Sequence, residues 1–330
     1  MLSKKNNRKI KTVRLTKKNI GNPKTIFFKK LNVNQKQAFI REANKNNSPY
    51  SLVNFYKPSK TNFSGFEKYL TKPGFTEQIT DNLKDWNYFE TKDSYDLMGD
   101  NINYHLFHCK LNNNQGCDLV VIPGYTAKSC HFMFARFLLM LKIINEMNKK
   151  NKYNKINNFK VIPYDNVYVI NFDGAKEIMK KNKEKRGLFD ETITQHTLDI
   201  MLNLGIKNCN IFAKSAGAGI GLGIMNSVIV KGAMLFCPGG DKLLFSTYLK
   251  TVKPGVMQKP IYIFWSLNDN KIPIKQGYTM IETANKRKPK YSMIKLIEIN
   301  TNDSLDDTNH RIHLQAIPYL MSKNFRNITY

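Results

Sequence analysis

The chain has 330 residues, with 52 Lys+Arg against 25 Asp+Glu and a formal net charge of +27. Its 42% apolar fraction is enough for a sizeable core and excludes a wholly disordered chain, and no recurring period marks a collagen-like or solenoid protein. No apolar run reaches the roughly 18 residues that span a bilayer, Met1-Leu2-Ser3-Lys4-Lys5 opens no secretory signal, and five Cys without a CxxC pair form neither a disulfide framework nor a zinc ribbon.

Reduced thiols and a cytoplasmic location are therefore expected. The charge points first to a polyanion partner, but its distribution weakens that reading. Residues 1–60 hold 16 Lys+Arg against one acid, Glu42, for a net +15. The other 270 residues carry only +12, much of it in the runs Asn148–Lys160 and Lys176–Arg186. Lys and Asn are abundant throughout, the bias that AT-rich codons produce, as in a large DNA virus or a protist. A viral source would make the virion a second expected location. Two accounts of the charge stay open: codon bias on a solvated surface, or anionic lipid or nucleic acid contact through residues 1–60.

Residues 1–84 read as a basic N-terminal arm, partly disordered or packed on the body, with one short helical stretch at Asn34–Ala43. Residues 85–330 read as one domain. Trp86–Thr91 and Ile102–Lys110 alternate apolar and polar residues as half-buried strands do, with turn residues around Gly99-Asp100 between them. Short unbroken apolar runs then alternate with helical patterns. Strands are expected at Leu119–Ile122, Val167–Phe172, Cys209–Ala213, Ala233–Cys237, Ile261–Ser266 and Met293–Ile299. Helices are expected at His131–Met147, Ile193–Leu204, Ala218–Val228, Lys275–Asn285 and Arg311–Phe325. This alternation predicts an α/β fold: a mostly parallel central sheet of about eight strands with helices on both faces. Such sheets carry their active residues on loops at the carboxyl ends of the strands.

The third parallel strand runs into Phe212-Ala213-Lys214-Ser215-Ala216-Gly217, and the small-residue helix Ala218-Gly219-Ile220-Gly221 follows. Ser215 stands at the apex of a strand–turn–helix, with Ala213 and Gly217 as the small neighbours such a sharp turn needs. There its hydroxyl sits at a helix N-terminus, which favours a developing negative charge. A Ser after a buried strand can equally be a plain N-cap. This segment resembles the nucleophile elbow G-x-S-x-G of the α/β-hydrolase superfamily, with Ala213 in place of the first Gly. Two further segments share the resemblance. Ile261–Ser266 followed by Asn268-Asp269 and Ile272-Pro273 is similar to the strand and loop that carry the superfamily's acid. Asp303–His310 lies on the loop after the last strand, where the superfamily places its His.

The resemblance covers about Asp85–Phe325 and implies a catalytic triad of Ser215, Asp269 and His310, in the superfamily's chain order. His313 is the alternative base, although it shares helical spacing with Ile317 and Leu320. Asp241 is the alternative acid, because some members carry theirs after the preceding strand. Asp269 as a mere turn cap is the other reading of that position. The oxyanion hole would use the backbone N–H groups of Ala216 and Tyr125, the latter in Pro123-Gly124-Tyr125, where Pro123 replaces the superfamily's His. The implied activity is hydrolysis of a small-molecule or lipid ester, or a thioester, through an acyl-enzyme on Ser215. The classes in view are carboxylesterase, thioesterase and lysophospholipase-like enzyme. No metal or organic cofactor is expected. A short lid near 238–259 would offer Leu243, Leu244, Phe245, Tyr248 and Leu249 to a pocket. A hydrolase fold serving as an inactive binding module, and a polyanion-binding arm on a scaffold, are the other functional readings.

The remaining motifs fail on spacing. Gly217-Ala218-Gly219-Ile220-Gly221-Leu222-Gly223 is not a dinucleotide fingerprint: G-x-G-x-x-G would need Gly at Leu222 or Ile224. The glycines fit close packing of a helix on the sheet instead. His105 and His108 fall on opposite faces of a strand and make a poor metal pair. Cys209 and Cys237 read as small buried hydrophobes. Cys117 and Cys130 show no partner in the sequence.

Overall fold

Runs such as Leu119-Val120-Val121-Ile122 and Ile261-Tyr262-Ile263-Phe264-Trp265 offer no polar face to water, so they make stable strands only when covered on both sides. In the computed structural model they are. The structure describes residues 28–30, 87–91, 95–97, 100–111, 113, 116–124, 164–173, 186–239, 258–288 and 290–299. Among these residues lie ten strands. They are β1 (Phe28–Lys30), β2 (Asn87–Thr91), β3 (Tyr95–Leu97), β4 (Asp100–Lys110), β5 (Asp118–Ile122), β6 (Asn166–Asp173), β7 (Cys209–Lys214), β8 (Val230–Phe236), β9 (Ile261–Ser266) and β10 (Ile294–Ile299). Three helices accompany them: α1 (Arg186–Asn203), α2 (Ala216–Ile224) and α3 (Lys275–Lys286).

The sheet runs β1-β2-β4-β6-β5-β7-β8-β9-β10, with β3 paired to β4 off this path. The six strands β5 to β10 are mutually parallel, whereas β4 joins β6, β2 joins β4 and β1 joins β2 antiparallel. This is the strand order of the α/β-hydrolase fold. All eight expected strands are present. The count is ten because β1 and β3, three residues each, are too short to show periodicity in sequence. The expected helices at 131–147 and 311–325 and the helical stretch at 34–43 lie outside the described residues, as does the expected lid beyond Gly239 as far as Met257.

Every residue of β7 is buried, so both faces of the sheet are covered at its centre. Phe212, Phe236 and Phe264 carry an aromatic row across β7, β8 and β9, with ring centroids 4.4 and 5.0 Å apart. Helix α2 packs so tightly that a Cβ on Gly221 would stand 3.1 Å from Ile211 and one on Gly223 would stand 2.6 Å from Thr194. Gly221 and Gly223 therefore serve close helix–sheet and helix–helix packing.

Polar groups at the amino ends of the parallel strands pair with one another. Asn166 donates through Nδ2 to the Asp118 carboxylate at 2.8 Å and shares a 3.0 Å bond with His108 Nε2. His108 also stacks on Tyr168 at 4.8 Å, so this His is structural. Cys117 has partners after all: its thiol donates to the Asp118 carbonyl, and Asn210 Nδ2 lies 3.9 Å from its sulfur. Burial, reinforced by Asp118, pushes the Cys117 thiol up to about 12.

Lys259 caps the chain that leaves α2. Its ammonium donates to the carbonyls of Met225 at 2.5 Å, at the C-cap of α2, and Ser227 at 2.7 Å. Burial, and then repulsion from Lys231, lower its pKa from 10.5 to about 8. The folded chain thus binds fewer protons than the unfolded chain above pH 8, and this group makes stability rise with pH. The buried thiols act in the opposite sense, but only above their ordinary value of 9.0. Between pH 8 and 9 the urea midpoint of the native chain, relative to Lys259→Met, is expected to climb. A flat difference contradicts the assignment.

Candidate active site

The strand order reverses at β5: the chain steps from β5 to β6 on one side and returns to β7 on the other. In open α/β sheets the crevice at such a switch, at the carboxyl ends of the strands, is where ligands bind. Here those ends are Pro123-Gly124 after β5 and Ser215 after β7.

Ser215 has φ 53° and ψ −126°, a conformation that a residue with a side chain rarely adopts. Three backbone hydrogen bonds fix it. Its N–H donates to Phe236 O at 2.9 Å, and its own carbonyl accepts from Ala218 N at 3.0 Å and Gly239 N at 2.9 Å. The turn also needs Gly217, where a Cβ would overlap the backbone carbonyl oxygens of Ile122 and Pro123. Nearby, a Cβ on Gly124 would stand 3.1 Å from Ser215 Cβ. The Ser215 hydroxyl makes no capping hydrogen bond to α2, so the plain N-cap reading fails. The Ala213 methyl fits because Gly221 faces it: a Cβ on Gly221 would lie 3.2 Å away.

Asp269 stands in the turn after β9 and is 6% exposed. Its Oδ1 accepts from the N–H groups of Lys271 and Ile272, both at 2.9 Å. The turn is pinned from beneath by Trp265, whose Nε1 donates to Ile272 O at 2.8 Å. Asp269 therefore does cap its turn, as the second reading of this residue held. That duty falls on Oδ1.

The segment after β8 links the two loops. Cys237, at φ 40°, donates its N–H to Phe264 O at 2.9 Å, and two residues later Gly239 bonds Ser215. The Cys237 thiol hydrogen-bonds the Asp269 side chain; burial, then the Asp269 charge, hold it well above its ordinary value. Cys237 is thus more than a small hydrophobe. A Cβ on Gly239 would lie 2.5 Å from Ile272 Cδ1, 3.3 Å from Ser215 Oγ and 3.4 Å from Ala216 N. The Asp269 turn and the Ser215 elbow therefore meet across Gly239.

Of the residues singled out in sequence, Ser215, Ala216 and Asp269 fall at these adjoining strand ends. Tyr125, Asp241, His310 and His313 lie outside the described residues. Sequence reasoning passed over Gly239, although Pro238-Gly239-Gly240 directly after a buried strand is a turn signal. Among the described residues no cluster of three His, Cys, Asp or Glu side chains could hold a metal ion, and no helix is long and apolar enough to cross a membrane.

Neither a protein-family model nor a curated protein sequence matches the chain. Solved structures do resemble it. A predicted CIB-like hydrolase from Thermoplasma acidophilum is 13% identical, covering 72% of this chain and 98% of its own, with a TM-score of 0.42. A dienelactone hydrolase from Anabaena variabilis is 15% identical, with coverages of 73% and 98% and a TM-score of 0.42. A cold-adapted esterase from an Arctic intertidal metagenomic library is 13% identical, with coverages of 71% and 93% and a TM-score of 0.46.

Gly217→Ala tests the tightness of the elbow. The clash is with backbone, which cannot swing aside, so a loss of about 2–3 kcal/mol in urea unfolding is expected. An unchanged midpoint contradicts the packing.

Proposed function

We propose that the chain is a serine hydrolase that cleaves a carboxylic ester or thioester through an acyl-enzyme on Ser215. The observation that carries this reading is the Ser215 backbone at φ 53°, ψ −126°, with a hydroxyl not spent on capping α2. Strain of this kind persists only where surrounding structure enforces it, and it concentrates at functional sites. A purely structural Ser would gain nothing from it.

In this reading His310 takes the Ser215 hydroxyl proton as Oγ attacks the acyl carbon. The proton then passes to the departing alcohol or thiol as the acyl–oxygen or acyl–sulfur bond breaks. Water, deprotonated by the same imidazole, attacks the acyl-enzyme; the acid leaves and Oγ recovers its proton. The N–H groups of Ala216 and Tyr125 stabilise the oxyanion, a contribution of about 3–4 kcal/mol per donor in related chemistry. Asp269 orients the imidazole and stabilises its cation. The buried position of Asp269 and its contact with the segment that touches Ser215 support that role.

A fluorophosphonate probe is expected to label the native chain on Ser215 and to leave Ser215→Ala unlabelled. Equal labelling of both, or none of either, overturns the reading. Ester turnover is expected to vanish in His310→Ala and survive in His313→Ala; the reverse result moves the base to His313. Asp269→Asn separates the two duties of that residue. The Asn side-chain oxygen still accepts from Lys271 and Ile272, so thermal stability should be nearly kept while kcat falls by about 10⁴. Full activity in Asp269→Asn makes Asp269 a turn cap only.

A further inference from the structure

The chain after β8 crosses from one neighbouring strand to the other within three residues. Cys237 N is bonded to Phe264 O of β9, and Gly239 N is bonded to Ser215 O at the end of β7. The left-handed Cys237 and the fixed φ of Pro238 direct this crossing, and it lays the Gly239 backbone against the elbow. A methyl group on Gly239 would meet three atoms: Ile272 Cδ1 at 2.5 Å, Ser215 Oγ at 3.3 Å and Ala216 N at 3.4 Å. The first is the far end of a flexible side chain, half-buried on the Asp269 turn, and can swing away. The other two are the attacking oxygen and an oxyanion donor of the reaction proposed above.

We propose that Gly239 is a specificity-determining residue: its missing side chain is the space into which the acyl carbonyl of the substrate fits beside Ser215, and the Ile272 methyl bounds that space as an apolar wall. The proposal rests on Ser215 being the nucleophile. An oxyanion bonded to Ala216 N–H would sit about 2.7–3.1 Å from that nitrogen. A methyl carbon 3.4 Å from the same nitrogen and 3.3 Å from Oγ crowds that volume. The site therefore admits a flat, unhindered acyl carbonyl, and its neighbour is aliphatic rather than charged. Ile272, only three residues beyond Asp269, ties the size of this space to the same turn that holds the acid.

The test uses the full chain and three variants: Gly239→Ala, Ile272→Ala and the two combined. Each is assayed for thermal unfolding, for the rate of fluorophosphonate labelling at Ser215, and for turnover of p-nitrophenyl esters of increasing acyl length. Gly239→Ala is expected to unfold cooperatively while labelling and turnover fall about 100-fold. The combined variant removes the Ile272 contact, so it regains whatever stability Gly239→Ala lost, yet labelling and turnover stay low. Ile272→Ala alone shifts the preference towards longer acyl chains. If Gly239→Ala fails to fold, the combined variant alone decides. Native-level labelling in Gly239→Ala, or recovery of turnover in the combined variant, overturns the proposal while leaving Ser215 as nucleophile. An Ile272→Ala chain with an unchanged acyl-length profile removes Ile272 from the wall. Absence of labelling in the native chain overturns the nucleophile itself, and this proposal with it.

Discussion

The backbone of Ser215 is held where an L-residue does not rest unaided, and the architecture around it reads as the means of holding it there. The ends of β5 and β8 converge on the residue that follows β7. The chain leaving β5 lies against Gly217 and, through Gly124, against Ser215; the last residue of β8 accepts the Ser215 N–H, and the chain beyond β8 returns to bond the Ser215 carbonyl. Each contact needs its strand at the centre of a parallel sheet with both faces covered. That requirement explains the unbroken apolar runs of β5, β7, β8 and β9. It also explains a glycine-rich α2, since only a helix without side chains on that face can lie this close to β7.

The two ends of the sheet do different work. At the amino ends, Asn166 bonds both Asp118 and His108, and Asn210 donates to Tyr164, contacts that join β4, β5, β6 and β7. At the carboxyl ends stand the half-buried Ser215, whose hydroxyl makes no cap on α2, and the buried Asp269, whose Oδ1 holds its turn. The net charge of +27 is spread along the chain, and one of its cations, Lys214, is buried at the end of β7 directly before Ser215. More than half of it belongs to residues 1–60, of which the described part is the edge strand β1.

Much of this was legible in the chain because the responsible signals are local. A buried strand followed by a small residue, Ser and another small residue describes an elbow, and an apolar run followed by Asp and Ile-Pro describes an acid turn. Eight strands were readable from short apolar runs or from alternation; β1 and β3, at three residues each, were too short for either. What escaped were contacts between segments far apart in sequence. Nothing in Pro238-Gly239 alone says that it will fold back on Ser215, because that depends on β8 lying between β7 and β9. Cys237 looked apolar by composition, yet the strand order places its thiol on Asp269. The tolerance of Ala213 depended likewise on Gly221, a partner eight residues away on a different element.

A covalent intermediate on Ser215 is the claim on which the rest of the functional account stands, and its direct measure is pre-steady-state turnover of a p-nitrophenyl ester with mass analysis of the quenched protein. The account predicts a burst of about one p-nitrophenol per chain and an acyl mass increment mapped to the peptide containing Ser215. Turnover with no burst and no adduct, or an adduct on any other residue, would contradict it.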